Sequence, residues 1–207
     1  MSPEATSAAQ RAYEEIKARV LDGRLPVRTR IDMEALAREL GVSSMPVRQA
    51  LSLLTWERLV RPGKHSAFEV ALWSATELAH LYEWRGALLT LVLPSNAAGS
   101  DVMRLARTQP YAQAVSSVMR LLEDGANSNL RRAAANADDR LHAARLIEEE
   151  VLGDVQGEFE TFVGAIAERS RRTNTILKSY IRRRVQSAEA LRAHVAMKAL
   201  SQNGEPR

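Results

Sequence analysis

Gly41 divides the stretch Ile31–Val60, IDMEALARELGVSSMPVRQALSLLTWERLV, into two short helical patterns whose apolar residues say how they pack. Leu36, Ala37 and Leu40 share one face of the first pattern, and Val47, Ala50, Leu51 and Leu54 share one face of the second. Glycine enters positive φ without a Cβ clash, so Gly41 ends the first helix and turns the chain. Asp32 is placed to cap the first helix, with Ile31 and Leu36 positioned as a hydrophobic staple. Ser43 or Ser44 is placed to cap the second, and Pro46 suits its first turn, where no N–H is needed. The pattern is a helix-turn-helix.

With the apolar face turned inward, Ser43, Ser44, Arg48, Gln49 and Ser52 remain outward on the second helix. Arg pairs bidentately with guanine and Gln with adenine, while Ser reaches phosphates or either kind of base edge. A generic amphipathic hairpin would show the same polar face, so the residues after Val60 weigh between the two. Arg61-Pro-Gly-Lys-His-Ser66 is a basic turn, and Ala67–Ala71 alternates as a short strand does. Pairing it with Leu59–Arg61 predicts a two-stranded wing, its tip carrying Lys64 and His65 toward phosphate or the minor groove. Arg28 and Arg30, just before the reading unit, are expected at the DNA backbone. The whole expected DNA-contact set is Arg28, Arg30, Glu34, Ser43, Ser44, Met45, Pro46, Arg48, Gln49, Ser52, Lys64 and His65.

The run LARELGVSSMPVRQALSLLTWERLV, a wing, and then WSATELAHLYEWRGALL resemble the winged-helix domain and linker of GntR-type bacterial transcription regulators. Within that family the chain is most similar to the FadR-like, FCD branch, whose effector domain is all helical. The family's motif carries Arg-Thr before its Pro-Val-Arg, where this chain has Ser44-Met45. A Gly commonly precedes the Leu-Val, where this chain has Arg58, and another sits near the wing tip, where it has Ser66. The resemblance implies a mostly α protein: residues 1–72 as a winged helix-turn-helix of three helices plus a small β-wing, and residues 73–207 as an all-α bundle. It implies a DNA-binding transcriptional regulator, by default a repressor. The alternative is a regulator whose second domain no longer senses anything and serves only dimerisation or partner binding.

At 207 residues the chain has room for two cores, and without cysteine it has neither disulfides nor thiolate metal sites. No apolar run reaches the roughly 20 residues of a bilayer span, and MSPEATSAAQ lacks a signal-peptide core, so the expectation is a cytoplasmic protein with no membrane partner. The net charge of +4 suits a polyanion such as double-stranded DNA. Tyr13, Ile16 and Val20 mark a first helix ending at Asp22-Gly23. Ser74-Ala-Thr-Glu77 is a capping box that opens a helix running to Pro94. Further helical patterns cover about 101–108, 110–124, 129–152, 155–170 and 173–201, with no alternating strand after the wing. A single recognition helix reads too few base pairs to single out one genomic site. A homodimer on a palindromic operator is therefore expected, with Ala112, Val115, Val118, Leu122, Ala133 and Ala137 offered as its apolar material.

The resembling branch often holds a metal through an Asp-x-x-x-His pair and two later histidines. Asp138 and His142 match the first half, while the second half is missing: His194 corresponds to a non-ligand position, and His80 lies on a helix that supplies no ligand. A divalent metal is therefore disfavoured and no cofactor is assigned. An acidic small-molecule effector would instead be gripped by arginine, and Arg85 looks like the family's Arg on the first bundle helix, giving Arg85, Asp138 and His142 as effector-site candidates. Arg140 and Arg145 point away from His142 by helical spacing, and the runs Arg169–Arg172 and Arg182–Arg184 read as solvated helix faces. No P-loop, nucleophile motif or complete metal set supports an enzyme.

Overall fold

The computed structural model describes residues 7–63, 67–93 and 99–203. The chain divides into two compact units, Met1–Leu72 with Ala196–Arg207, and Trp73–Val195. The described residues are mostly helical, with one small sheet near the amino terminus.

In the first unit, α1 (Ala8–Leu21) starts at Ser7, whose side chain accepts from the Gln10 N–H, and buries Ala12 and Ile16. The two-residue strand β1 (Arg30–Ile31) leads into α2 (Met33–Leu40), capped by Asp32 through the N–H groups of Glu34 and Ala35. Gly41 takes φ +64° and closes α2, as its lack of a Cβ permits. Then α3 (Ser44–Trp56) turns Val47, Ala50, Leu51 and Leu54 inward, every one of them buried. Its expected cap is incomplete, because Ser43 occupies the N-cap position without a side-chain hydrogen bond.

The wing is a three-stranded sheet rather than the two-stranded one the sequence suggests. β2 (Val60–Pro62) and β1 both pair antiparallel with β3 (Phe68–Val70), in the order β1-β3-β2. Val60, Val70 and Ile31 are buried, joining one core with Ile16, Leu36 and Leu54, while Arg30, Glu69 and Arg61 form a cross-strand row on the other side. Arg61 and Glu69 close a 2.7 Å ion pair across it.

Arg58, between α3 and β2, sits at φ +59°. That left-handed conformation costs an L-residue roughly 1–2 kcal/mol, part of which glycine loses again to chain entropy. Arg58→Gly is expected to stabilise the first unit by about 0.5–1 kcal/mol, read as a raised thermal midpoint. A lowered midpoint would mean that the Arg58 side chain outweighs its backbone strain.

In the second unit, α4 (Ala75–Val92) opens with the expected capping box between Ser74 and Glu77. It is followed by α5 (Gly99–Thr108), α6 (Tyr111–Leu122), α7 (Ser128–Arg145), α8 (Glu148–Leu152), α9 (Val155–Ala167), α10 (Thr173–Gln186) and α11 (Ala188–Asn203), whose residues from Ala196 onward count with the first unit. Two predicted helices are each broken in two. The 129–152 pattern stops at Ile147, whose φ −120° and ψ 1° leave the helical region, and the 173–201 pattern stops at Ser187. The first break lies immediately before Glu148, which is fully buried.

Val115, Val118 and Leu122 belong to the unit's own core with Phe159, Phe162 and Leu177, and Ala137 is buried too. They are thus not the exposed dimer material the sequence suggests; Ala112 and Ala133 are half-buried. The large apolar side chains that do face solvent on α4 are Trp84, 51 % exposed, and Leu91, 64 % exposed. Close packing also fixes α4 against α10, since a Cβ on Gly86 would fall 2.8 Å from a carbon of Ile181.

Candidate nucleic-acid interface

The position of α3 follows from what its inner face touches. It packs mainly on α1 and secondarily on α2. Its carboxyl end is tied down by Glu57, which accepts from the Tyr13 hydroxyl at 2.6 Å and from Lys17 Nζ at 2.9 Å. With that face fixed, Ser43, Ser44, Met45, Arg48, Gln49 and Ser52 are all exposed and Pro46 is half-buried. Neither Arg48 nor Gln49 spends its side chain on an intramolecular hydrogen bond or ion pair among the described residues. The Ser52 hydroxyl donates to the Arg48 carbonyl at 2.9 Å and keeps its lone pairs for an outside donor.

The flanking candidates lie on neighbouring elements. Glu34 is exposed in the first turn of α2. Arg30 is exposed on β1, and Arg28 is exposed at φ +66°, its backbone N–H donating to the Val70 carbonyl at 2.9 Å. Lys64 and His65 lie outside the described residues. Arg28, Arg30 and Arg48 bring positive charge and Ser43, Ser44, Gln49 and Ser52 bring neutral hydrogen-bonding groups, which suits phosphate positioning with a few base-edge contacts, while Asp32, Glu34 and Glu39 add exposed carboxylates.

The effector candidates lie in the second unit: Arg85 and Asp138 in a buried ionic network that the sequence only partly announces, and His142 half-buried on the same helix as Asp138. Arg85 is 2 % exposed and spans Asp138, its Nε 2.7 Å from Oδ1 and a terminal nitrogen 3.1 Å from Oδ2. The same guanidinium bonds Glu123. Arg145, expected to point away from His142, donates to Asp138 Oδ1 at 2.6 Å and is itself buried, because seven residues bring a helix back to the same face. Burial alone would raise Asp138, but the charge of Arg145, then that of Arg85, holds the carboxyl below its ordinary range. Glu123 moves the other way: burial raises it, against the pull of Arg85.

A second cluster adjoins on α8 and α10. Glu148 accepts from the Tyr82 hydroxyl at 2.6 Å, from the Tyr111 hydroxyl, and from Arg184 Nε at 2.8 Å. Arg184 also reaches Glu158 at 2.9 Å and lies 3.4 Å over the Tyr180 ring. It is fully buried, which corrects the reading of Arg182–Arg184 as a solvated face; Arg182 is exposed and Arg183 half-buried. A helical count exposes the signal, since Leu177, Tyr180 and Arg184 recur at i, i+3 and i+7.

These residues do not fit a metal. Both Asp138 oxygens face guanidinium groups, so a divalent cation there would meet two positive charges already in place. No group of three His, Cys, Asp or Glu side chains converges among the described residues. His194 pairs instead with Glu150 at 2.7 Å.

His142 is held below its ordinary pKa first by burial and then by the Arg145 charge, against Asp139. A depressed histidine contributes stability above its unfolded pKa of about 6.5, lost as pH falls through the folded value. Acidification from pH 7 to 5 is thus expected to destabilise the second unit, and His142→Gln to flatten that slope. Equal slopes in denaturation series of the two proteins would remove His142 from the account.

Comparison with known proteins bears on both units. The chain superposes on a protein described as a GntR transcriptional regulator from Rhodococcus sp. RHA1 with a TM-score of 0.73 at 15 % identity, covering 89 % of this chain and 99 % of that one. It superposes on McbR/YncC of E. coli with a TM-score of 0.67 at 15 % identity, covering 90 % and 99 %. At such identity these likenesses speak for a shared fold. No curated protein matches the chain significantly. Residues 8–70, from the start of α1 to the end of β3, match the family model for bacterial regulatory proteins of the gntR family, so the first unit of this chain contains a gntR-family helix-turn-helix domain.

Proposed function

We propose that this chain is a sequence-specific, DNA-binding transcriptional regulator acting in the cytoplasm as a homodimeric repressor on a palindromic duplex operator. The observation that carries the reading is α3: four side chains seat it in a gntR-family domain, while Arg48 and Gln49 stand exposed with no side-chain partner among the described residues. No described helix is long and apolar enough to cross a membrane. Arg48→Ala is expected to weaken the preferred site by about 1–3 kcal/mol, the worth of one bidentate base contact. Unchanged affinity in a gel-shift titration would take Arg48 out of the reading set.

The second unit is read as an FCD-type domain, on the helical architecture and on Arg85, Asp138 and His142. Its effector, in this reading, is a small carboxylate. Arg85 and Arg145 converge on Asp138, and each leaves one buried terminal nitrogen without an acceptor among the described residues, a costly state that an anionic ligand would relieve. The competing reading, a non-sensing domain kept only for dimerisation or partner binding, is favoured by the same Asp138, whose oxygens are already taken. A thermal-shift titration with di- and tricarboxylates separates the two: stabilisation that Arg85→Met abolishes supports sensing, and none from any acid supports the second reading.

A further inference from the structure

Met45 is the second residue of α3 and is 60 % exposed. It takes no part in the core that buries Val47, Ala50, Leu51 and Leu54 on the same helix. At about 100° per residue it shares a face with Gln49 and Ser52, beside exposed Ser43 and Ser44 at the amino end of the helix. Free in water, an unbranched thioether there gains nothing and places apolar surface in solvent. Against duplex DNA the same face meets the major groove, whose one apolar landmark is the C5 methyl of thymine. The two serines reach only one bond beyond their Cβ atoms, whereas Met45 has three more atoms beyond Cβ and the rotamer freedom to find a methyl.

We propose that Met45 is a specificity-determining residue that reads a thymine C5 methyl in the major groove. The proposal rests on the DNA-binding reading above and goes beyond it, because it assigns one base feature to one side chain. Contact with that methyl also explains why an apolar residue sits among groove-facing polar ones.

The test begins with a duplex selected by the full-length protein from a randomised pool. Each thymine of the selected half-site is then replaced in turn by deoxyuridine, which removes the methyl and leaves every hydrogen-bonding group in place. Loss of one buried methyl corresponds to about a fourfold weaker Kd. The wild type should show that loss at one thymine, Met45→Leu should keep it, and Met45→Ala and Met45→Gln should bind thymine and deoxyuridine duplexes equally at that position. Circular dichroism of the variants checks that the exposed substitution leaves the fold intact. A wild type indifferent to every replacement, or a Met45→Ala protein with the same sensitivity at the same base, overturns the proposal while leaving DNA binding standing. Failure to enrich any duplex overturns the DNA-binding reading and this proposal with it.

Discussion

Glu148→Ala is expected to destabilise the second unit by about 3–5 kcal/mol, the scale for removing one partner of a buried ion pair. Glu148 is fully buried and accepts from Tyr82, Tyr111 and Arg184. Its loss strands the Tyr82 hydroxyl and part of a guanidinium that is also fully buried, while the Tyr111 hydroxyl keeps Tyr180 and Arg184; burial already pushes Tyr82 and Tyr111 away from ionising. Glu158, whose side chain is 21 % exposed, shares the same guanidinium from nearer the solvent, so Glu158→Ala should cost only about 1 kcal/mol. The double replacement Glu148→Leu, Arg184→Met should recover much of the loss by leaving no uncompensated charge. Urea denaturation followed by circular dichroism measures all three. A Glu148→Ala loss under about 1 kcal/mol would mean that water enters the site and solvates Arg184.

The two clusters also mark where the sequence stops being readable. In the first unit, the apolar periodicity of α2 and α3, the Asp32 cap and the Gly41 turn are local signals, each contained within a few residues. Periodicity and turn chemistry report such features directly. The strand β1 is two residues long and has no pattern of its own; it exists because Arg30 and Ile31 pair with Glu69 and Phe68, far along the chain. Arg58 is a local departure visible in advance, and its positive φ puts a conformation that favours glycine at the position where the resembling family commonly has one.

In the second unit the difficulty is chemical. A sequence reading places charged side chains toward solvent, which holds for Arg169, Arg171 and Arg172, all exposed. It fails for Arg145 and Arg184, because a buried charge is tolerable only when paired: Asp138 stands seven residues before Arg145 on the same helix, a spacing that a count from His142 passes over, and Arg184 draws Glu148 and Glu158 from other helices with no sequence signal linking them to it. Glu123 is followed by Asp124, and of the two only Glu123 is buried; Glu148 is one of three adjacent glutamates, of which only it is buried. The helical breaks at Ile147 and Ser187 follow from tertiary packing that propensity does not see: Glu148 must turn inward where an unbroken helix would continue its own register.

Cutting the chain after Leu72 is expected to leave a folded, monomeric DNA-binding fragment whose affinity for the full palindromic site falls roughly 10²–10⁴-fold. That is the range lost when two tethered binding events become one. The fragment should fold because its core, from Ala12 to Val70, draws every buried member from within the cut. It should be monomeric because the surface assigned to pairing lies beyond it: Trp84 and Leu91, seven residues apart on α4, share one exposed face, while the exposed Met45, Leu53 and Trp56 of the fragment all lie on α3, the helix assigned to DNA. A second copy of the chain is the occupant proposed for that face, because a two-fold dimer lets one patch meet itself and matches the symmetry of a palindromic site. Full-length Trp84→Glu, Leu91→Glu should then behave like the fragment, monomeric by light scattering and weak on the full site, while binding a single half-site as the wild type does. A fragment as tight as the whole chain, or a double variant that stays dimeric, would place the pairing surface elsewhere and remove α4 from it.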